Sequence, residues 1–341
     1  MKLAKKLSIV LILALLASGC ATTVEKTENE SALTQSSVVP MKLPNKTVLK
    51  VSSAGNFEFM TALYVADALG ELEKENIYIE YVTLPSQDAI PALALGQVDV
   101  SVIGISATLF NAVADGADVR LVFPGPSSPN GDGLWVSNEF LAKPNNVEPI
   151  RIANSQGPAW LGIVPVGRYL ESMGMDWNDV EFQKLPISEL GTALELGSVD
   201  AAWLNSPAHL TFKEQGSASL LAQYSQKEVA TGYAFGPRLL RNNPEIGQAF
   251  IRALIRTIQT HLGAGYKANK DITTALANSL NLSDSQLSGG DELGFSLELD
   301  TTLQTNAQQI WIDLGDILSY NEPLPPEDYI DLRFARSIEI E

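Results

Sequence analysis

The chain repeats itself at an offset of 101 residues, and this duplication limits its architecture more than any other feature. Residues 84–99 read LPSQDAIPALALGQVD and residues 185–200 read LPISELGTALELGSVD. Eight of the sixteen aligned positions are identical: Leu84/Leu185, Pro85/Pro186, Ala92/Ala193, Leu93/Leu194, Leu95/Leu196, Gly96/Gly197, Val98/Val199 and Asp99/Asp200. Solenoid repeats run only about 20–50 residues, so this longer period predicts two similar α/β lobes. In each copy a strand (Ile77–Thr83; Val180–Lys184) ends at Leu-Pro, because proline has no N–H to give to a sheet ladder. A short amphipathic helix follows, carrying Ala89, Leu93 and Leu95 in one copy and Leu190, Leu194 and Leu196 in the other. Gly96 and Gly197 stand where a C-cap needs a left-handed residue. Val98–Ile103 and Val199–Leu204 then read as the next strands, and this strand–helix alternation predicts parallel sheets.

Asp99 and Asp200 match across the copies and invite a catalytic reading. Active groups in open α/β sheets lie at strand carboxyl ends, whereas these two begin strands, so a hydrogen bond to the preceding turn is favoured. Elsewhere Val48–Ser52, Val119–Phe123, Ile150–Ala153 and Ser219–Tyr224 read as strands. Phe57–Leu69 reads as a helix because Phe59, Ala62, Leu63, Ala66 and Leu69 share a face. Thr108–Ala114, Trp160–Met173, Ile246–Leu262 and Thr301–Leu318 read as further helices, and Phe212–Gly216 ends another.

The amino terminus addresses the compartment. Lys2, Lys5 and Lys6 precede the apolar run Leu7–Leu16, which is too short for a bilayer needing about 20 residues but fits an export signal. Ala17-Ser18-Gly19-Cys20 brings small residues up to the only cysteine, in a pattern that resembles the lipobox of bacterial lipoproteins. That resemblance implies cleavage after residue 19 and a lipid on Cys20, although Ala17 stands where the pattern usually has leucine. Residues 20–46 are polar, without an apolar period, and read as a flexible tether. The formal charge is −17, and removing the three leader lysines takes it to −20. Nucleic acid is thereby a poor partner, since phosphate binding needs Lys/Arg clusters.

The chain past residue 47 is similar to the nitrate/sulfonate/taurine and thiamine-precursor group of periplasmic binding proteins. The resemblance is carried by Leu63-Tyr64-Val65-Ala66, by Gly70-Glu71-Leu72 leading to Ile77, and by the two Ala-Leu-x-x-Gly-x-Val-Asp signatures. Residues 173–185 (MGMDWNDVEFQKL), the stretch from Phe250 and residues 328–336 (DYIDLRFAR) also carry it. It implies an α/β type II periplasmic binding protein fold, two α/β lobes with a hinge and a central ligand cleft. Lobe I would comprise residues 47–132 and 237–341, and lobe II residues 133–236. It also implies an ABC importer component, a monomer that takes a small-molecule ligand to permease subunits while a separate subunit hydrolyses ATP. No Gly-x-x-x-x-Gly-Lys-Ser/Thr loop is present in the sequence.

Ligands of such sheets sit beyond strand carboxyl ends, where helix N-termini offer free N–H groups. Candidate ligand-binding residues there are Ser53, Asn56, Ser86, Gln87, Ile105, Ser106, Ser155, Gln156 and Asn205. Ser86, Ser106 and Ser206 also suit helix N-caps. Trp135, Trp160 and Trp203 are candidates for stacking on a planar ligand, and each equally suits a core position. The loops carry no Lys or Arg, which disfavours a phosphate dianion and leaves a monoanion or a neutral ring. Where the family often has Glu-Pro, this chain has Ser206-Pro207. His209 and His261 show neither triad nor metal spacing and read as surface or cap residues, so no catalytic residue, metal or cofactor is assigned. The rival readings are an enzyme of cofactor biosynthesis on the same fold, against which the export signal weighs, and a tethered ligand sensor.

Overall fold

The computed structural model of the chain describes residues 38–127, 131–142, 149–206, 208–283, 287 and 291–338. The expected export signal, Cys20, the expected tether up to residue 37, and Pro207 lie outside the described residues. Strands β1 (Thr47–Ser53), β2 (Ile77–Thr83), β3 (Val100–Gly104) and β4 (Arg120–Pro124) alternate with helices α1 (Thr61–Ala68), α2 (Ser86–Ala94) and α3 (Ala107–Ala114). Next come β5 (Gly133–Ser137), α4 (Asn138–Leu141), β6 (Ile150–Asn154), α5 (Ile163–Ser172) and β7 (Val180–Lys184). They lead into α6 (Ile187–Glu195), β8 (Ala201–Leu204), α7 (Ala208–Gln215) and β9 (Ala218–Gln223). The chain closes with β10 (Thr231–Phe235), α8 (Pro244–His261), α9 (Lys270–Leu280), α10 (Thr302–Leu314) and the short helices Pro326–Tyr329 and Arg333–Arg336.

The strands form two five-stranded sheets, ordered β2-β1-β3-β10-β4 and β7-β6-β8-β5-β9. Position by position the two orders are the same. The duplication is visible in the pairing register: Leu49 faces Ile79 and Val51 faces Val100 in the first sheet, while Ile150 faces Val180 and Ile152 faces Ala201 in the second. Each of these residues is 101 positions from its counterpart.

The sheets are mixed and not parallel throughout. Strand β10 runs antiparallel to β3 and β4, and β5 runs antiparallel to β8 and β9. Chain path explains the difference. After β4 the chain leaves from the carboxyl edge of the first sheet and enters the second at its corresponding edge. It must then run away from that edge, against β6, β7 and β8. The return after β9 imposes the same on β10. A repeat over residues 84–99 and 185–200 holds no trace of this exchange.

Asp99 and Asp200 have the structural role, each held to the first strand of its copy. Asp99 Oδ2 accepts from the Lys50 amide at 2.9 Å, and Asp200 Oδ2 accepts from the Arg151 amide at 3.0 Å. Arg238 and Arg151 neutralise them at 2.6 and 2.8 Å. Gly96 and Gly197 have φ values of +68° and +66°, the left-handed caps that their helices require.

Several boundaries differ for local reasons. The expected helix from Phe57 begins as a 3-10 turn, Glu58–Met60, before α1. Helix α5 starts at Ile163 because Trp160 is held in a backbone bridge with Ser106. Helix α10 stops at Leu314 because Gly315 turns to φ +72°. Within the stretch expected as a tether, Val38 is buried and Met41 is tied down. The Met41 amide donates to Glu75 Oε2 at 3.1 Å and its carbonyl accepts from Arg252 Nη2 at 3.1 Å.

Those partners belong to a buried charge network behind the first sheet. Arg256 donates to Glu71 Oε2 at 2.6 Å and to Glu75 Oε1 at 2.7 Å, and Arg252 donates to Glu75 Oε2 at 2.6 Å. His261 Nε2, partly buried in the last turn of α8, lies 3.1 Å from Glu71 Oε1, so this helix-end histidine also joins the network. Burial raises the Glu71 pKa, but hydrogen bonds from Lys74, Arg256 and His261 outweigh it and bring the carboxyl down to about 2.

A hydrophobic cluster extends from one sheet to the other, taking in Leu93 and Phe110 from one side and Trp160 and Trp203 from the other. Trp311 of α10 is fully buried in it and donates its indole N–H to the Pro158 carbonyl at 2.7 Å. Among the described residues no helix is long and apolar enough to cross a membrane. Nor does any group of three or more His, Cys, Asp or Glu among them suit a metal ion.

Candidate functional site

The carboxyl ends of β1, β3, β6 and β8 converge on a cavity of about 120 Å³ between the two sheets. For scale, an apolar cavity of about 150 Å³ holds benzene. The first lobe contributes Phe57 and Phe59 after β1, Ser86 and Ala89 from α2, and the backbone from Val102 to Ile105. Ala230 and Thr231 add the start of β10. The second lobe contributes Asn154, Ser155 and Gln156 after β6, Ile187 and Leu190 from α6, and Trp203 and Asn205 at the end of β8. Trp160, Leu161 and Tyr224 complete that wall. A larger open groove of about 750 Å³, lined by Asn56, Gln87, Lys184 and Ser188 among others, adjoins the cavity through Ala54, Phe57, Ser86, Ser155 and Ile187.

Aromatic rings dominate both walls. Phe57 and Phe59 are stacked at 5.0 Å with their planes 12° apart. Opposite them Trp160 meets Trp203 edge-on at 5.8 Å, and Trp203 meets Tyr224 at 5.0 Å. Burial pushes the Tyr224 phenol well above its ordinary pKa, so it stays a neutral hydroxyl. No described residue lining the inner cavity carries a formal charge; Lys184 is confined to the outer groove. The site can therefore hold a small flat molecule by contact area and by hydrogen bonds from hydroxyl, amide and backbone groups.

Of the residues expected from the sequence, Ser86, Ile105, Ser155, Gln156, Trp160, Trp203 and Asn205 line the inner cavity. Asn56 and Gln87 line the outer groove. Three stand elsewhere. Ser53 Oγ donates to the Gly55 carbonyl at 2.7 Å and closes the turn behind the wall. Ser106 precedes α3, makes no side-chain cap bond, and has its backbone bridged to Trp160. Trp135 points from β5 to the opposite face of the second sheet, stacked at 5.8 Å on His209, with its indole N–H on the Gly131 carbonyl at 2.8 Å. Alternation along a strand puts it with α6 and α7, while Leu134 and Val136 face the shared core. His209 is consequently buried, not at the surface, and burial lowers its pKa and keeps it neutral.

Phe57, Phe59, Tyr224 and Thr231 were not anticipated. The two phenylalanines directly follow a strand-end loop, which was a usable signal. Thr231 was inaccessible to sequence reading, because only the antiparallel course of β10 brings a strand's beginning to this edge.

The family described as "NMT1/THI5 like" matches residues 57–264, more than half of the chain. The chain belongs to the NMT1/THI5-like family. No curated protein sequence matches it. Its fold is that of the two-lobed periplasmic binding proteins. The alkanesulfonate-binding protein of Xanthomonas axonopodis pv. citri, bound to MOPS, superposes with a TM-score of 0.63 at 19% identity, covering 84% of this chain and 98% of its own. The nitrate-binding protein of Synechocystis PCC 6803 superposes at 0.66 with 14% identity, covering 86% and 88% respectively. The ligand-binding component of an ABC-type import system from Staphylococcus aureus reaches 0.69 at 12% identity, covering 86% and 100%. At these identities the likeness establishes the fold of this family member and leaves its solute to the chemistry of the cleft.

Proposed function

We propose that the chain is the extracytoplasmic solute receptor of an ABC importer, held at a membrane by a lipid on Cys20, with lobe I formed by residues 47–132 and 237–341 and lobe II by residues 133–236. One observation carries the reading: an aromatic cavity set between two equivalent sheet edges, walled by both lobes and free of lining charges. A receptor needs a space that only both halves together complete, so that filling it changes their relationship and signals a permease.

The same cavity favours an uncharged solute with a planar part over the sulfonate and nitrate named for its structural relatives. Helices α2 and α6 point their N-termini at the site, and each dipole end is worth about half a positive charge. Each first turn also carries a carboxylate, Asp88 in α2 and Glu189 in α6, which more than offsets that half charge. An anion gains little from these helix ends.

Thermal-shift measurement against paired neutral and anionic solutes, for example benzamide with benzoate and benzenesulfonamide with benzenesulfonate, tests both statements. A stabilising solute present at about 100 times its Kd adds about 2.7 kcal/mol. Stabilisation by no solute in a wider screen, or chemical conversion of the bound one, would sink the receptor reading. Stronger stabilisation by the anions would sink the uncharged class alone. The anchor is tested separately: the Cys20→Ser variant should move from the membrane fraction to the soluble fraction, and retention on membranes counts against lipidation.

A further inference from the structure

Glu58 lies between the two stacked phenylalanines of the cavity wall yet does not itself line the cavity. Its carboxylate is buried and divided between the two lobes. From the first lobe, Lys267 Nζ donates to Oε1 at 2.5 Å, and this ammonium is also held by the Asp291 carbonyl at 2.6 Å. From the second lobe, Ser206 Oγ donates to Oε2 at 2.5 Å across 148 residues of sequence. Ser206 is itself fixed, since its amide donates at 2.7 Å to Oδ1 of Asp132, the boundary residue that directly precedes β5 of the second sheet. Asn205, its neighbour, lines the cavity.

We propose that Glu58 is a positioning residue that latches the two lobes through Ser206 and, in the same act, sets the Phe57–Phe59 wall of the cavity. A buried carboxylate needs more than its counter-ion, because its remaining lone pairs must also be satisfied. Lys267 supplies the charge from within the same lobe whatever the other lobe does. The Ser206 hydroxyl is available only when the second lobe is in place. Separating the lobes removes this donor, and the backbone on either side of Glu58 carries the two rings. Closure and the shape of the aromatic wall are thereby one event. The latch gives the receptor reading its purpose, but it is made of protein groups alone and its test needs no solute.

The test is a distance measurement on the full chain with Cys20→Ser, spin-labelled at Asp88→Cys and Glu189→Cys. These exposed positions are equivalent in the duplication, one on each side of the cleft. Double electron–electron resonance should give a short, narrow distribution for this parent. Ser206→Ala should shift it to longer and broader distances, with a roughly tenfold or greater fall in the closed-to-open ratio, the scale of a lost hydrogen bond to a charged group. Ser206→Thr, which keeps the hydroxyl, should restore the parental distribution. An unchanged distribution in Ser206→Ala, or equal lengthening in both variants, overturns the latch. Either result leaves the solute screen to stand or fall separately.

Discussion

Replacing Arg256 with alanine should destabilise the protein by about 3–5 kcal/mol, the usual cost of stranding a buried ionic partner. Arg256 holds both Glu71 and Glu75, and Glu75 is wholly buried, so its loss leaves two carboxylates competing for Arg252, Lys74 and His261. A folded part of about 300 residues has an unfolding entropy of about 0.6 kcal/mol/K, so each kcal/mol lowers Tm by about 1.6 °C and the fall should be about 5–8 °C. Calorimetry on Arg256→Ala measures it, and a shift under a few degrees would mean that water or a rearranged neighbour replaces the guanidinium. The pH dependence has a definite sign. The Glu71 carboxyl has its pKa lowered on folding from 4.5 to about 2, so its stabilisation is present above the unfolded value and disappears as pH falls through the folded one. Tm should drop between about pH 5 and pH 2, and Glu71→Gln should remove part of that slope.

Filling the cavity should abolish binding while the fold survives. Ala89 lines the space from α2, and its counterpart in the duplication, on α6, is Leu190, which also lines it. Ala89→Leu therefore gives α2 a residue that its twin helix already carries, but adds an isopropyl group to a space of about 120 Å³. Overpacking costs about 1–3 kcal/mol of stability. Affinity for whichever solute the screen identifies should fall at least a hundredfold, or about 2.8 kcal/mol. Titration by tryptophan fluorescence measures this, since Trp160 and Trp203 form the opposite wall. Unchanged affinity would place the solute in the outer groove.

What the sequence disclosed was governed by range. Strands β2 and β7 were legible to the residue, because Leu84-Pro85 and Leu185-Pro186 are local stop signals. The twin register followed from matched residues lying close together in each copy. Strand-end loops located the polar part of the cavity wall, since a helix N-terminus announces itself by composition. The misplacements were non-local. The facing of Trp135 depends on the register in which β5 enters the sheet, and the anchoring of Met41 depends on Glu75 and Arg252, far downstream, taking its backbone. The pairing of Glu58 with Lys267 and Ser206 had no sequence signature, because three unremarkable residues meet only after both lobes are assembled.

The exchange of β5 and β10 has a consequence for assembly in time. The first sheet has an unfilled slot between β3 and β4 until β10 arrives, and β10 is made only after every strand of the second sheet. A chain emerging amino end first cannot finish its first half before its second half exists. Nascent fragments ending before Thr231 expose two open sheet edges that invite wrong partners. Completion of the first sheet should thus wait on a long-range pairing, which slows folding, and truncation anywhere upstream of β10 should yield an unfinished body in place of a working half.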